Sequence, residues 1–183
     1  FVDGPAAAHA SVGRVAGTVD VIKLALEPAG GPVPDLATAA AIVAAAHRHG
    51  LAVTAHALGV QMVRRALDAG VDELCHVPLE PLGRELVDRL AAARVGVVSS
   101  LRTHLHAGGD VLGNARDLVA AGVRIVYGTD LGNAGTEPGA DPVELRLLAE
   151  AGLGADGALA AATHRAAEVP GLEHADETRR RRH

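Results

Sequence analysis

Four ionisable residues follow or end short apolar runs: Lys23 in Val21-Ile22-Lys23-Leu24, His56 in Val53-Thr54-Ala55-His56, His76 in Leu74-Cys75-His76, and Asp130 in Tyr127-Gly128-Thr129-Asp130. Imidazole nitrogens and a carboxylate are the donors that zinc and similar divalent ions select. Taken singly, each histidine also reads as a hydrogen-bonded structural residue and the aspartate as a helix cap. Together, at the ends of strands that would share one rim, they read as a metal site. Lys23 stands among Val21, Ile22, Leu24 and Leu26, so desolvation is expected to favour its neutral form. A neutral amine can add carbon dioxide, and the resulting carbamate is an oxygen ligand that could bridge two metal ions. An equal reading has the lysine snorkelling out of the strand end.

The elements that must position these residues alternate regularly. Apolar runs of strand length fall at 19–24, 52–55, 72–75, 96–99 and 124–127. Between and after them lie Ala/Leu-rich amphipathic stretches at 35–49, 60–69, 82–93, 114–121, 142–151 and 155–163. Asp35 suits a helix N-cap, and Gly50, Gly70, Gly122 and Gly152 stand where helices should end. Strands that alternate with helices and are apolar throughout belong in a parallel sheet covered by helices. The expected fold class is α/β, with about five parallel strands. Both a doubly wound sheet and a partial (β/α)8 barrel meet that description. In a barrel the four residues would share the carboxyl-terminal rim, where barrel enzymes build their sites.

Bulk properties narrow the function. The 183 residues carry a net charge of −5 and are 49% hydrophobic, with Phe1 and Tyr127 the only aromatic residues. That balance provides no basic face for nucleic acid. The single cysteine, Cys75, rules out an internal disulfide framework and a Cys-rich zinc cluster. No apolar run approaches membrane-spanning length, and the first residues lack signal-peptide order, so a cytoplasmic location without a membrane partner is expected. Residues 173–183 end in four consecutive arginines and have no apolar periodicity. They are predicted to be a disordered tail behind a single domain over 1–172.

The segments Val-Ile-Lys-Leu, Thr-Ala-His-Ala, Ala-Leu-Asp-Ala-Gly-Val-Asp-Glu-Leu-Cys-His and Val-Tyr-Gly-Thr-Asp together resemble the metal-dependent amidohydrolase superfamily, in particular its imidazolonepropionase- and prolidase-like members. The run 158–163, followed by Ala166-Ala167, resembles the helix after the last barrel strand of that family. The resemblance covers residues 19–172 and implies the C-terminal part of a (β/α)8 barrel. It aligns Lys23 with a carboxylated lysine on the family's fourth strand. His56 and His76 align with metal ligands on the fifth and sixth strands, and Asp130 with a ligand and proton shuttle on the eighth. The implied reaction is hydrolysis of an amide or cyclic amide C–N bond of a small molecule by a metal-activated water, with zinc or another divalent metal as one or two ions.

The family's His-x-His pair on the first strand has no counterpart before Lys23, where His9 stands alone. The one His-x-His here, His104-Leu105-His106, lies beside Gly108-Gly109 and is predicted to be a loop with substrate-side or surface histidines. The expected state is thus a truncated or fragmentary enzyme with an incomplete site, completed by a missing N-terminal half or by homo-oligomerisation. Two further readings stand beside it. One is a non-catalytic α/β domain that uses open sheet edges for assembly. The other is a barrel that cradles phosphate in the Gly-rich run 128–135, although that run lacks a nearby Lys or Arg.

Overall fold

A computed structural model describes residues 2–168; the Arg-rich tail at 173–183 and the end of the expected domain lie outside them. Five strands form one sheet: β1 (Val21–Ala25), β2 (Ala52–His56), β3 (Glu73–Leu74), β4 (Gly96–Val98) and β5 (Ile125–Val126). Their spatial order is their chain order and every neighbouring pair is parallel. A doubly wound sheet reverses its strand order at a switch point. A barrel adds each strand beside the last, and that is the order found.

The helices are α1 (Gly4–Val15), α2 (Leu36–Arg48), α3 (Val60–Ala69), α4 (Arg84–Ala92), α5 (Leu101–His104), α6 (Val111–Ala120), α7 (Pro142–Leu148), α8 (Gly154–Ala161) and α9 (His164–Ala167). The Asp35 carboxylate caps α2 by accepting from the Thr38 N–H at 2.8 Å. Gly70 ends α3 at φ +85°, a left-handed turn that a residue with a Cβ adopts only under strain. The core is aliphatic and small: Ala39, Ala46, Ala55 and Ala66 are fully buried beside Val53, Leu74, Leu86, Leu90 and Val97. Small side chains let helices approach the sheet closely.

Two helices depart from the sequence reading. α1 was not expected, because its Ala- and Gly-rich segment has weak hydrophobic contrast; Ala8 and Val12, one turn apart, bury against α2. α5 replaces a predicted loop. Its first two N–H groups are held by a carboxylate from α7: Glu144 accepts from Leu101 at 2.9 Å and from Arg102 at 2.7 Å. Among the described residues no helix is long and apolar enough to cross a membrane.

Candidate metal centre

Register sets the depth of each residue on the sheet. Ala25 lies opposite His56 and Lys23 opposite Thr54, so Lys23 sits one side-chain layer below His56 on the same face. Lys23 is exposed, with Val21 and Ala25, whereas Leu24 and Leu26 project to the opposite, buried side. Its apolar chain neighbours therefore do not bury it. Adjacent residues in a strand face opposite sides, so apolar neighbours in sequence are not neighbours in space.

At the carboxyl-terminal rim, His56 ends β2 and His76 follows β3 by two residues. Their rings meet edge to face, with centroids 4.8 Å apart and planes at 79°. His104, on α5, lies on the other side of His76 at the same centroid distance, 4.8 Å. Ligand atoms of His76, His104 and Asp130 all lie within 4.8 Å of one another, the only such group among the described residues. His104 is thus brought into the rim cluster, on a helical turn where a loop was expected. His106, two residues on, is exposed outside it and borders a cleft of about 380 Å³ with Arg102, Thr103 and Thr136.

The surrounding contacts orient the cluster. The His76 Nδ1 is 3.2 Å from the Ser100 Oγ, and the His104 Nδ1 donates to the Ser100 carbonyl at 3.0 Å. Asn133 donates to both the carboxylate and the carbonyl of Asp130, each at 2.8 Å. Ser100 and Asp130 both adopt left-handed backbone, at φ +48° and +53°. Strained non-glycine residues of this kind persist where the surroundings over-determine them, and they concentrate at functional sites. Sequence reasoning missed Ser100, Asn133 and Glu144, since their roles depend on tertiary partners.

Burial pushes the His76 imidazole down to about 4, with His104 adding to the effect and Asp130 opposing it. Burial, then the Lys23 charge, lowers His56. Both rings are therefore neutral near pH 7, the form that can donate a lone pair to a cation. Two imidazoles and a carboxylate fit a zinc-class ion. A tetrahedral ion with bonds of about 2.0–2.2 Å holds its donors roughly 3.4 Å apart, so small side-chain movements would close the cluster around one ion.

The lowered His76 value has a consequence for stability. Between about pH 6.5 and 4 the unfolded chain takes up a proton that the folded chain refuses, so this contribution is complete above that window and lost as pH falls through it. Glu73 and Glu144, both raised by burial, act in the opposite sense. Comparison with His76→Asn in chelator isolates the histidine. Wild type should lose on the order of 1–2 kcal/mol relative to the variant between pH 7 and pH 5, read from urea midpoints. A difference independent of pH would show that the ring is not held neutral.

No family model and no curated protein matches the chain. Solved structures do. A Xaa-Pro dipeptidase with bound methionine in its active site is 24% identical, with a TM-score of 0.77, over 93% of this chain and 48% of that one. An amidohydrolase is 25% identical with a TM-score of 0.73, over 93% of this chain and 47% of that one. The ochratoxinase of A. niger is 23% identical with a TM-score of 0.73, over 93% and 44%. The chain thus spans about half the length of each of these structures. Five singly wound parallel strands, matched along half of these barrels, give the chain the fold of the C-terminal part of an amidohydrolase-superfamily barrel.

Proposed function

We propose that the chain forms part of a metal-dependent hydrolase that cleaves C–N bonds of amides or cyclic amides in small molecules. The observation that carries this reading is the meeting of the His76 imidazole, held neutral, with His104 and the Asp130 carboxylate at the carboxyl-terminal rim, where the neutral His56 ring packs edge to face on His76. His76 and Asp130, with a further imidazole of this rim, would hold zinc or a similar ion, which when bound would activate water and polarise the scissile carbonyl. Lys23, one layer below His56 and exposed to dissolved carbon dioxide, would add a carbamate oxygen as a ligand able to bridge to a second ion. Asp130, fixed by Asn133, takes the proton of the attacking water and returns it to the leaving nitrogen.

Equilibrium dialysis against zinc tests the reading. Wild type should take up metal at micromolar free zinc, and His56→Ala/His76→Ala should take up far less; equal uptake by both proteins would sink it. Release of amine from dipeptides and N-acyl amides, measured with and without chelator, then tests the reaction class.

The exposed face of β1 favours a second reading. Val21 is 40% exposed beside Lys23 and Ala25, and an uncovered sheet face of this kind suits packing against further strands. In that reading the domain acts in assembly and any metal site is vestigial. Sedimentation equilibrium separates the two, since assembly through this face predicts a self-associating mass that Val21→Lys reduces.

A further inference from the structure

We infer that His104 is itself a metal ligand, so that one ion sits between His76, His104 and Asp130, and that Ser100 positions both imidazoles for it. The inference rests on the metal-dependent reading above and specifies its ligand set.

A backbone carbonyl can only accept, so the His104 nitrogen that meets the Ser100 carbonyl at 3.0 Å carries the ring proton. Its Nε2 therefore keeps the lone pair. The His76 Nδ1 meets the hydroxyl of the same serine at 3.2 Å, and in the tautomer that donates its Nδ1–H to that oxygen the Nε2 is the second lone-pair donor. Among the described residues neither Nε2 has a hydrogen-bond partner, although His104 is 9% exposed and His76 only 4%. Two imidazole nitrogens that open from largely buried residues and have no protein partner, beside a carboxylate, form a set of donors that a cation would satisfy.

The backbone fixes this arrangement. Ser100 donates its N–H to the Gly128 carbonyl at 3.0 Å and holds its left-handed conformation there, which turns its own carbonyl to His104. The Thr103 hydroxyl donates to the Thr129 carbonyl at 2.8 Å. That bond ties the turn carrying His104 to the residue preceding Asp130, so two of the three ligands come from segments bonded to each other. His56 contacts His76 edge to face but falls outside the three-residue group. It supports the His76 ring and shapes the opening.

The test is zinc affinity by competition with a chromophoric chelator, together with the visible absorption of the cobalt-substituted protein. His76→Ala and His104→Ala should each weaken zinc at least 100-fold, and His56→Ala should weaken it less than His104→Ala does. His106→Ala should leave the affinity unchanged. Ser100→Gly keeps the left-handed backbone and the carbonyl but removes the hydroxyl; about a 10-fold loss is expected, of the size seen when a partner of a metal-bound histidine is removed. The cobalt spectrum should lose intensity or shift in His104→Ala and keep its form in His106→Ala. His104→Gln, closer in size, replaces His104→Ala if that variant does not fold by circular dichroism. No zinc binding by wild type overturns the metal-dependent reading as a whole. Wild-type affinity in the folded His104 variant, with loss in His76→Ala, overturns this inference alone.

Discussion

Glu144→Ala is expected to lower the unfolding free energy by about 3–4 kcal/mol and to release the turn that carries His104. Glu144 is fully buried, a rare position for a carboxylate without partners. Here it has two. One oxygen accepts from the Leu101 N–H and the other from the Arg102 N–H. Burial nevertheless pushes its carboxyl above the usual range, against the pull of these donors. Alanine would strand two backbone donors, at about 1–3 kcal/mol each, and leave a cavity; relief of the buried charge offsets part of that. Glu144→Gln should retain about half of the lost stability, because its amide NH2 must face one of the same N–H donors. The Arg102 guanidinium pairs with Asp141 at the start of α7, which keeps that end of the turn anchored in both variants. Urea denaturation followed by circular dichroism measures the effect. A Glu144→Ala midpoint equal to wild type would show that α5 forms without its cap.

This clamp explains why the site was only partly legible from sequence. His56, His76 and Asp130 could be found because their types are uncommon at strand ends and the strands themselves are apolar throughout. The alternation of strands and helices also follows from local signals, such as the Asp35 cap and the left-handed Gly70, whereas those signals leave the strand order open. Glu144 and Leu101 stand 43 residues apart, and no local pattern joins them. Without that bond the segment from Leu101 to His106 reads as a Gly-flanked loop, so His104 was assigned with His106 to the substrate side. The structure separates the two: the helical turn directs His104 inward and leaves His106 exposed. For Lys23 it was the expected burial that differed. Its place in a strand was legible, but its exposure depends on what covers one face of β1, a fact that lies outside its own segment.

Gly128→Ala should cost about 2–4 kcal/mol and disturb both arms of the centre at once, because the end of β5 approaches β4 too closely for a side chain. A Cβ at this position would lie 2.3 Å from the Val98 Cγ1, far inside van der Waals contact. Neither partner is the far end of a flexible chain, since valine has a single stiff torsion. The strands must therefore separate, and the bonds at risk are those that build the rim. Ser100 donates to the Gly128 carbonyl, and Gly128 donates to the Ser99 Oγ at 3.2 Å. Movement of Gly128 carries Asp130, two residues on, away from His76 and His104. Val98→Ala removes the obstructing methyl and is expected to recover part of the loss. The double variant should be more stable than the sum of the single effects by about 1–3 kcal/mol. Zinc affinity should follow the same order, weakest in Gly128→Ala and partly restored in the double variant. Strict additivity in a four-protein cycle of urea midpoints would mean that the two residues do not meet, and that the close approach of β4 and β5 does not set the spacing of the ligands.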